Sequence, residues 1–254
     1  MKLFRLILIV LLLTGCASSG GGSSGTPVPD KTRAQASARI HTELAASYYE
    51  REQYAIALQE AGVALRADAD FAPAYTVRAM VRMALREDDL AEADFRRSLD
   101  LDDENSEAHN NYGWFLCQRG RVTESLAQFR DALKNPLYAT PEMAYVNLGL
   151  CSKKAGKMQE AENNLQRALI IRPGMREALY GMADWSYDSG DYAGAKSYFL
   201  RFSQVSGDLN AEQLWLAVRI ERKMRDRNSE ASYELQLRKR FPTSRETQLL
   251  MQGE

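Results

Sequence analysis

The sequence predicts an all-α fold, a superhelical solenoid of about six helix–turn–helix repeats. Small residues recur at Ala45, Ala79, Gly113, Gly149, Ala183 and Ala217, with steps of 34, 34, 36, 34 and 34. A second small-residue ladder, Ala57, Ala91, Ser125, Ala161 and Ala195, steps by 34, 34, 36 and 34. Four places beyond it stand Phe95, Phe129, Leu165 and Phe199, with Ala61 in the first unit. Small residues let two helix axes approach, and the large residue fills the gap beside them. Two independent ladders share one step series, including the odd 36, which a non-repetitive helical bundle has no reason to keep.

The unit is clearest in Asn110–Leu133, where Tyr112, Gly113 and Leu116 mark a first helix and Gly120 a turn. Ser125, Phe129, Ala132 and Leu133 then recur on one face of a second helix. This resembles the tetratricopeptide repeat, whose period is about 34 residues and which cannot bury its apolar face without neighbours. The repeats run Ala38–Phe71, Ala72–Asn105, Ser106–Pro141, Glu142–Met175, Arg176–Leu209 and Asn210–Pro242. Pro73, Pro141 and Pro173 lie near the joints, where proline starts or stops helices. Gly120, Gly156 and Gly190 share the turn slot, which Glu52 and Arg86 fill in the first two repeats against the pattern. The second repeat also carries Asp88 where an apolar side chain is usual. In the sixth, the second helix is expected over Ser229–Arg240, its small-residue slot lost or shifted to Ala231.

Ahead of the repeats the chain reads as a leader and a tether. Lys2 and Arg5 precede an apolar run, Leu6–Leu13, too short for a bilayer span of about 20 residues. Leu13-Thr14-Gly15-Cys16 resembles a bacterial lipobox, so residues 1–15 are expected to be removed and Cys16 to carry lipid. Several acyl chains suffice for stable anchoring. Ala17 after the cysteine, rather than Asp, implies outer-membrane sorting by resemblance to enterobacterial lipoproteins. Residues 16–30 form a Ser/Gly/Pro tether that cannot build a core, and residues 31–254 the solenoid domain.

A formal net charge of −1 argues against nucleic acid as the main ligand. The charge is uneven: Glu87–Glu107 holds ten acids and two bases, and Arg219–Arg245 nine bases and four acids. These runs read either as solvated helix faces or as two docking surfaces. No catalytic constellation is present, so no enzymatic activity, cofactor, metal or small-molecule substrate is expected. His41 and His109 occupy one register slot and are expected to pack or cap. Cys117 and Cys151 lie near the ends of adjacent first helices in non-equivalent slots; a disulfide and two buried thiols both remain open.

Projecting the register puts Tyr49, Met80, Met83, Asn110, Trp114, Val146, Leu150, Tyr180 and Tyr187 along the concave face. An aromatic and Met-rich stripe with an amide suits a bound peptide. The competing reading packs some of them between helices.

Four stretches, the lipobox at Cys16, His109–Arg121, Asn135–Cys151 and Leu237–Ser244, make the whole chain resemble the type IV pilus biogenesis lipoproteins called PilF or PilW. Asn135–Cys151 contains the odd 36-residue step, so the irregularity itself is part of the resemblance. It implies a pilotin, which binds the pilus secretin polypeptide and promotes its outer-membrane localisation and assembly without catalysis. The alternative is a lipid-anchored adaptor scaffolding a peptidoglycan hydrolase or division complex.

Overall fold

The computed structural model describes residues 30–253. Cys16, the leader and all of the tether before Asp30 lie outside these residues. Helices α1 (Asp30–Glu50) and α2 (Tyr54–Ala67) form the first pair, and α3 (Ala72–Ala84) and α4 (Asp88–Leu101) the second. The third is α5 (Ser106–Gln118) with α6 (Val122–Ala132), the fourth α7 (Pro141–Lys154) with α8 (Met158–Ile171). The fifth is α9 (Arg176–Asp188) with α10 (Tyr192–Val205), the sixth α11 (Ala211–Met224) with α12 (Arg227–Arg240), and α13 (Arg245–Met251) follows. Each first helix packs on its own second helix, each second helix on the first helix of the next repeat, and α1, α3, α5, α7 and α9 also pack in succession, which stacks the pairs into a solenoid.

The ladders are the core. Ala45, Ala79, Ala183 and Ala217 are buried against the facing rows of Ala57, Ala91, Ser125, Ala161 and Ala195, with Phe95, Phe129, Leu165 and Phe199 beside them. At Gly113 the fit leaves no room for a side chain: a Cβ there would stand 2.8 Å from the Phe129 ring. Helix starts follow local chemistry. The Asn105 side chain accepts from the Ala108 amide, Asp191 from Gly194 and Asp226 from Ser229, each satisfying a donor that the first turn leaves free. Pro73 and Pro141 sit in first turns, where a missing N–H costs nothing.

The structure corrects the reading of the turns. Glu52, Arg86 and Arg225 stand at φ of 59°, 65° and 60°, the same left-handed backbone that Gly120, Gly156 and Gly190 adopt at 77°, 72° and 83°. All six intra-repeat turns therefore share one geometry, and only the residue type departs. The sixth repeat is also less degenerate than expected. Ser229 and Tyr233 continue the two ladders at a step of 34 from Ala195 and Phe199. The Tyr233 ring meets Phe199 edge-on at 6.0 Å and packs on the cluster holding Ala217. Ala231 is exposed, so the slot has not moved there. Beyond the sixth repeat, α13 buries Thr247 and Leu250 against α11 and α12 and covers the end of the stack.

Candidate functional site

First helices line the concave face. Two adjoining recesses run along it and share Trp114 and Gln118. The smaller, about 340 Å³, is bounded by Tyr49, Met83 and Arg119. The larger, about 640 Å³, continues over Leu150, Tyr180 and Phe202 towards Glu212 and Gln213. Five of the nine stripe residues, Tyr49, Met83, Trp114, Leu150 and Tyr180, thus line one groove across five repeats.

The other four do not. Val146 is 2% exposed and packs with Ala168, Met175 and Ala178, inside the joint between helices. Asn110 is 5% exposed, and its side-chain oxygen accepts from the Asn147 amide at 3.0 Å, tying α5 to α7. Both belong to the inter-repeat core. Met80 leans on the Phe95–Tyr112 cluster, and its sulfur accepts from Asn111. Tyr187 lies outside both recesses, 4.6 Å beneath the Arg219 guanidinium.

A disulfide between Cys117 and Cys151 joins α5 to α7, with Cα atoms 6.1 Å apart. Adjacent first helices are staggered, so non-equivalent slots meet. Trp114 packs on this cluster with Leu126, Phe129 and Leu148, and Cys151 reaches the wall of the larger recess. Trp114 is therefore both groove lining and partial core.

Several of the groove's charged groups are engaged with acids nearby. Lys153 pairs with Asp184 and with Asp188, the latter at 2.7 Å, and Arg119 pairs with Asp88. Arg176 faces Glu177 at 3.5 Å. Burial, then the nearby Glu212 and Asp184 carboxylates, push the Tyr180 hydroxyl far above the usual phenol range, so it stays neutral. Burial and Tyr54 raise the Tyr49 hydroxyl as well.

Elsewhere, His41 bonds Glu60 at 2.6 Å and His109 bonds Gln128 at 2.7 Å, one cross-helix brace repeated two units apart. Much of the acidic run is also structural: Asp94 pairs with Arg78 and Arg82, and Glu92 with Arg96 and Arg121. In the basic run, Arg222 bridges Glu230 and Glu234. No group of potential metal ligands occurs among the described residues.

A tetratricopeptide-repeat profile matches residues 144–174. The chain is 32% identical over 250 residues to the type IV pilus assembly protein PilF of Pseudomonas aeruginosa, covering 96% of each chain. The solved structure of PilW, a widely conserved type IV pilus biogenesis factor, aligns with a TM-score of 0.77 and 34% identity, over 84% of this chain and 98% of that one. The structure of Pseudomonas aeruginosa PilF aligns at 0.79 and 29% identity, over 88% and 99%. A stack of these repeats, similar from end to end to two pilus proteins, places the chain in the PilF/PilW family of type IV pilus biogenesis proteins.

Proposed function

We propose that this protein is a pilotin. Anchored through lipid on Cys16 at the periplasmic face of the outer membrane, it holds the pilus secretin polypeptide in its concave groove and promotes multimer assembly there. The observation that carries the reading is the groove: Tyr49, Met83, Trp114, Leu150 and Tyr180 along one face of the stack, with an apolar floor in the larger recess. Such a surface suits a polypeptide segment. Membership of a pilus biogenesis family directs attention to pilus partners, and the lipobox-like Leu13–Cys16 supports the anchor.

The test combines two variants. Cys16→Ser removes the anchor; secretin multimers should fall or collect in the inner membrane. A variant still held by its own lipid in the outer membrane defeats the lipobox reading. Trp114→Ala truncates the central anchor and should weaken secretin binding at least tenfold, about 1.4 kcal/mol. A melting curve on the same variant separates groove from core, because Trp114 also packs on the disulfide cluster. Unchanged affinity in a folded variant removes the groove from the mechanism.

A further inference from the structure

We infer that the segment held in the groove carries no charged side chains; this rests on the groove-binding reading above and specifies its occupant. The larger recess is lined by Lys153, Lys154 and Arg176 against Glu177, Asp184 and Glu212, so its formal charges cancel. Part of the cancellation is local as well as formal. Lys153 is spent on Asp184 and Asp188, Arg176 faces Glu177, and Glu212 lies beside the Tyr180 hydroxyl. In the smaller recess Arg119 is spent on Asp88 and its guanidinium also lies 5.4 Å from the Phe115 ring centre.

A charged side chain reaching the floor between Trp114, Leu150 and Tyr180 would be desolvated where the nearest cations, Lys153 and Arg119, are already paired, and the unpaired Lys154, Arg86 and Glu212 stand in water at the edges. That costs free energy, whereas neutral apolar groups gain it by burial. Lys154 and Arg86 stand on the rims, exposed to water, where ion pairs contribute little. Gln118 is exposed where the recesses meet and has no hydrogen-bond partner among the described residues. Its amide both donates and accepts, which suits the main chain of a neutral segment.

The experiment uses the full-length protein and overlapping synthetic peptides tiling the secretin sequence. The tightest peptides should be free of Asp, Glu, Lys and Arg. Their affinity should change by less than about threefold from roughly 0.01 M to 1 M salt, over which the Debye length shrinks from about 30 Å to about 3 Å. Gln118→Glu and Gln118→Lys should both weaken binding, because either sign brings a charge that must be desolvated. Opposite effects of the two substitutions, a steep salt dependence, or tightest binding by charged peptides overturns the inference while leaving the secretin reading intact. Secretin that binds only as a folded domain, through no peptide, overturns it too. If neither the peptides nor full-length secretin binds, the secretin reading fails and the inference with it.

Discussion

In the first repeat α1 and α2 meet through Ala38, Ala45, Ala57, Ala61 and Ala64, all fully buried. The third buries Phe115 and Leu116 towards the second repeat and Leu126 and Phe129 towards the fourth. The register is the same, yet the apolar area removed from water per helix pair is not. Stability scales with that area, at about 25 cal/mol per Å². The third repeat adds a cross-link to the fourth, has neighbours on both sides, and turns through Gly120. The first has one neighbour and turns through a left-handed Glu52. Helix-pair geometry is thus set by where the small residues fall, and firmness by the large residues beside them. The stack should be hardest at its centre, under the groove, and softest at its start.

The largest break in this contrast is Phe129→Ala, expected to cost about 3–5 kcal/mol, as aromatic truncations in cores do. The equivalent change in the first repeat, Ala61→Gly, removes one methyl and some helix propensity, about 1–2 kcal/mol. Hydrogen exchange followed helix by helix checks both. Equal losses would mean that the first repeat draws its stability from elsewhere. Replacing both Cys117 and Cys151 by serine opens the 34-residue link and should cost about 2–4 kcal/mol, felt in repeats three and four. Melting of the double variant against the oxidised parent measures it.

Gly113→Leu forces atoms into the Phe129 ring and should cost about 1–3 kcal/mol by overpacking. An unchanged melting temperature would contradict the close approach. Arg86→Gly should do the reverse: the left-handed turn is strained for a side chain, and glycine relieves up to about 1 kcal/mol. Gly120→Arg in the third repeat should then destabilise by a similar amount, and a melt of each tests the pair.

The smallest effect is acidic pH. Burial alone would raise the Glu92 carboxyl, but hydrogen bonds from Arg121 and Tyr112 outweigh it and hold it below the usual carboxylate range. A depressed carboxylate contributes its full stability above its unfolded value, about 4.3, and loses it as pH falls through the lower folded value. Acid should therefore loosen the joint between repeats two and three, which the Glu92–Arg121 pair bridges, and Glu92→Gln should remove that pH dependence.

Repeat number, boundaries and most ladder residues were legible because a 34-residue step is visible to simple counting. Ser229 and Tyr233 were legible by the same count: the step of 34 holds, serine already fills the small slot at Ser125, and only Phe becomes Tyr at position 233. Helix α13 escaped because a single helix has no period. Val146 and Asn110 were misplaced because the concave face and the inter-repeat joint lie next to each other on the same helix. Which of the two a side chain enters depends on how far the next repeat is rotated. The Cys117–Cys151 link stayed open for a related reason: the stagger between adjacent first helices is a property of packing, absent from any one repeat's sequence.

The cross-link has a mechanical consequence. A solenoid pulled from its ends lengthens by losing repeats one after another. The chain between Cys117 and Cys151 cannot pay out while the bond holds, which withholds roughly 110 Å of contour length at about 3.3 Å per residue. Under tension the chain outside the link would extend like slack cord while residues 118–150, with α6 and the start of α7, stayed knotted. A load applied to either end would cross from Cys117 to Cys151 through the bond itself, so the chain between them would feel the pull only after the link was cut.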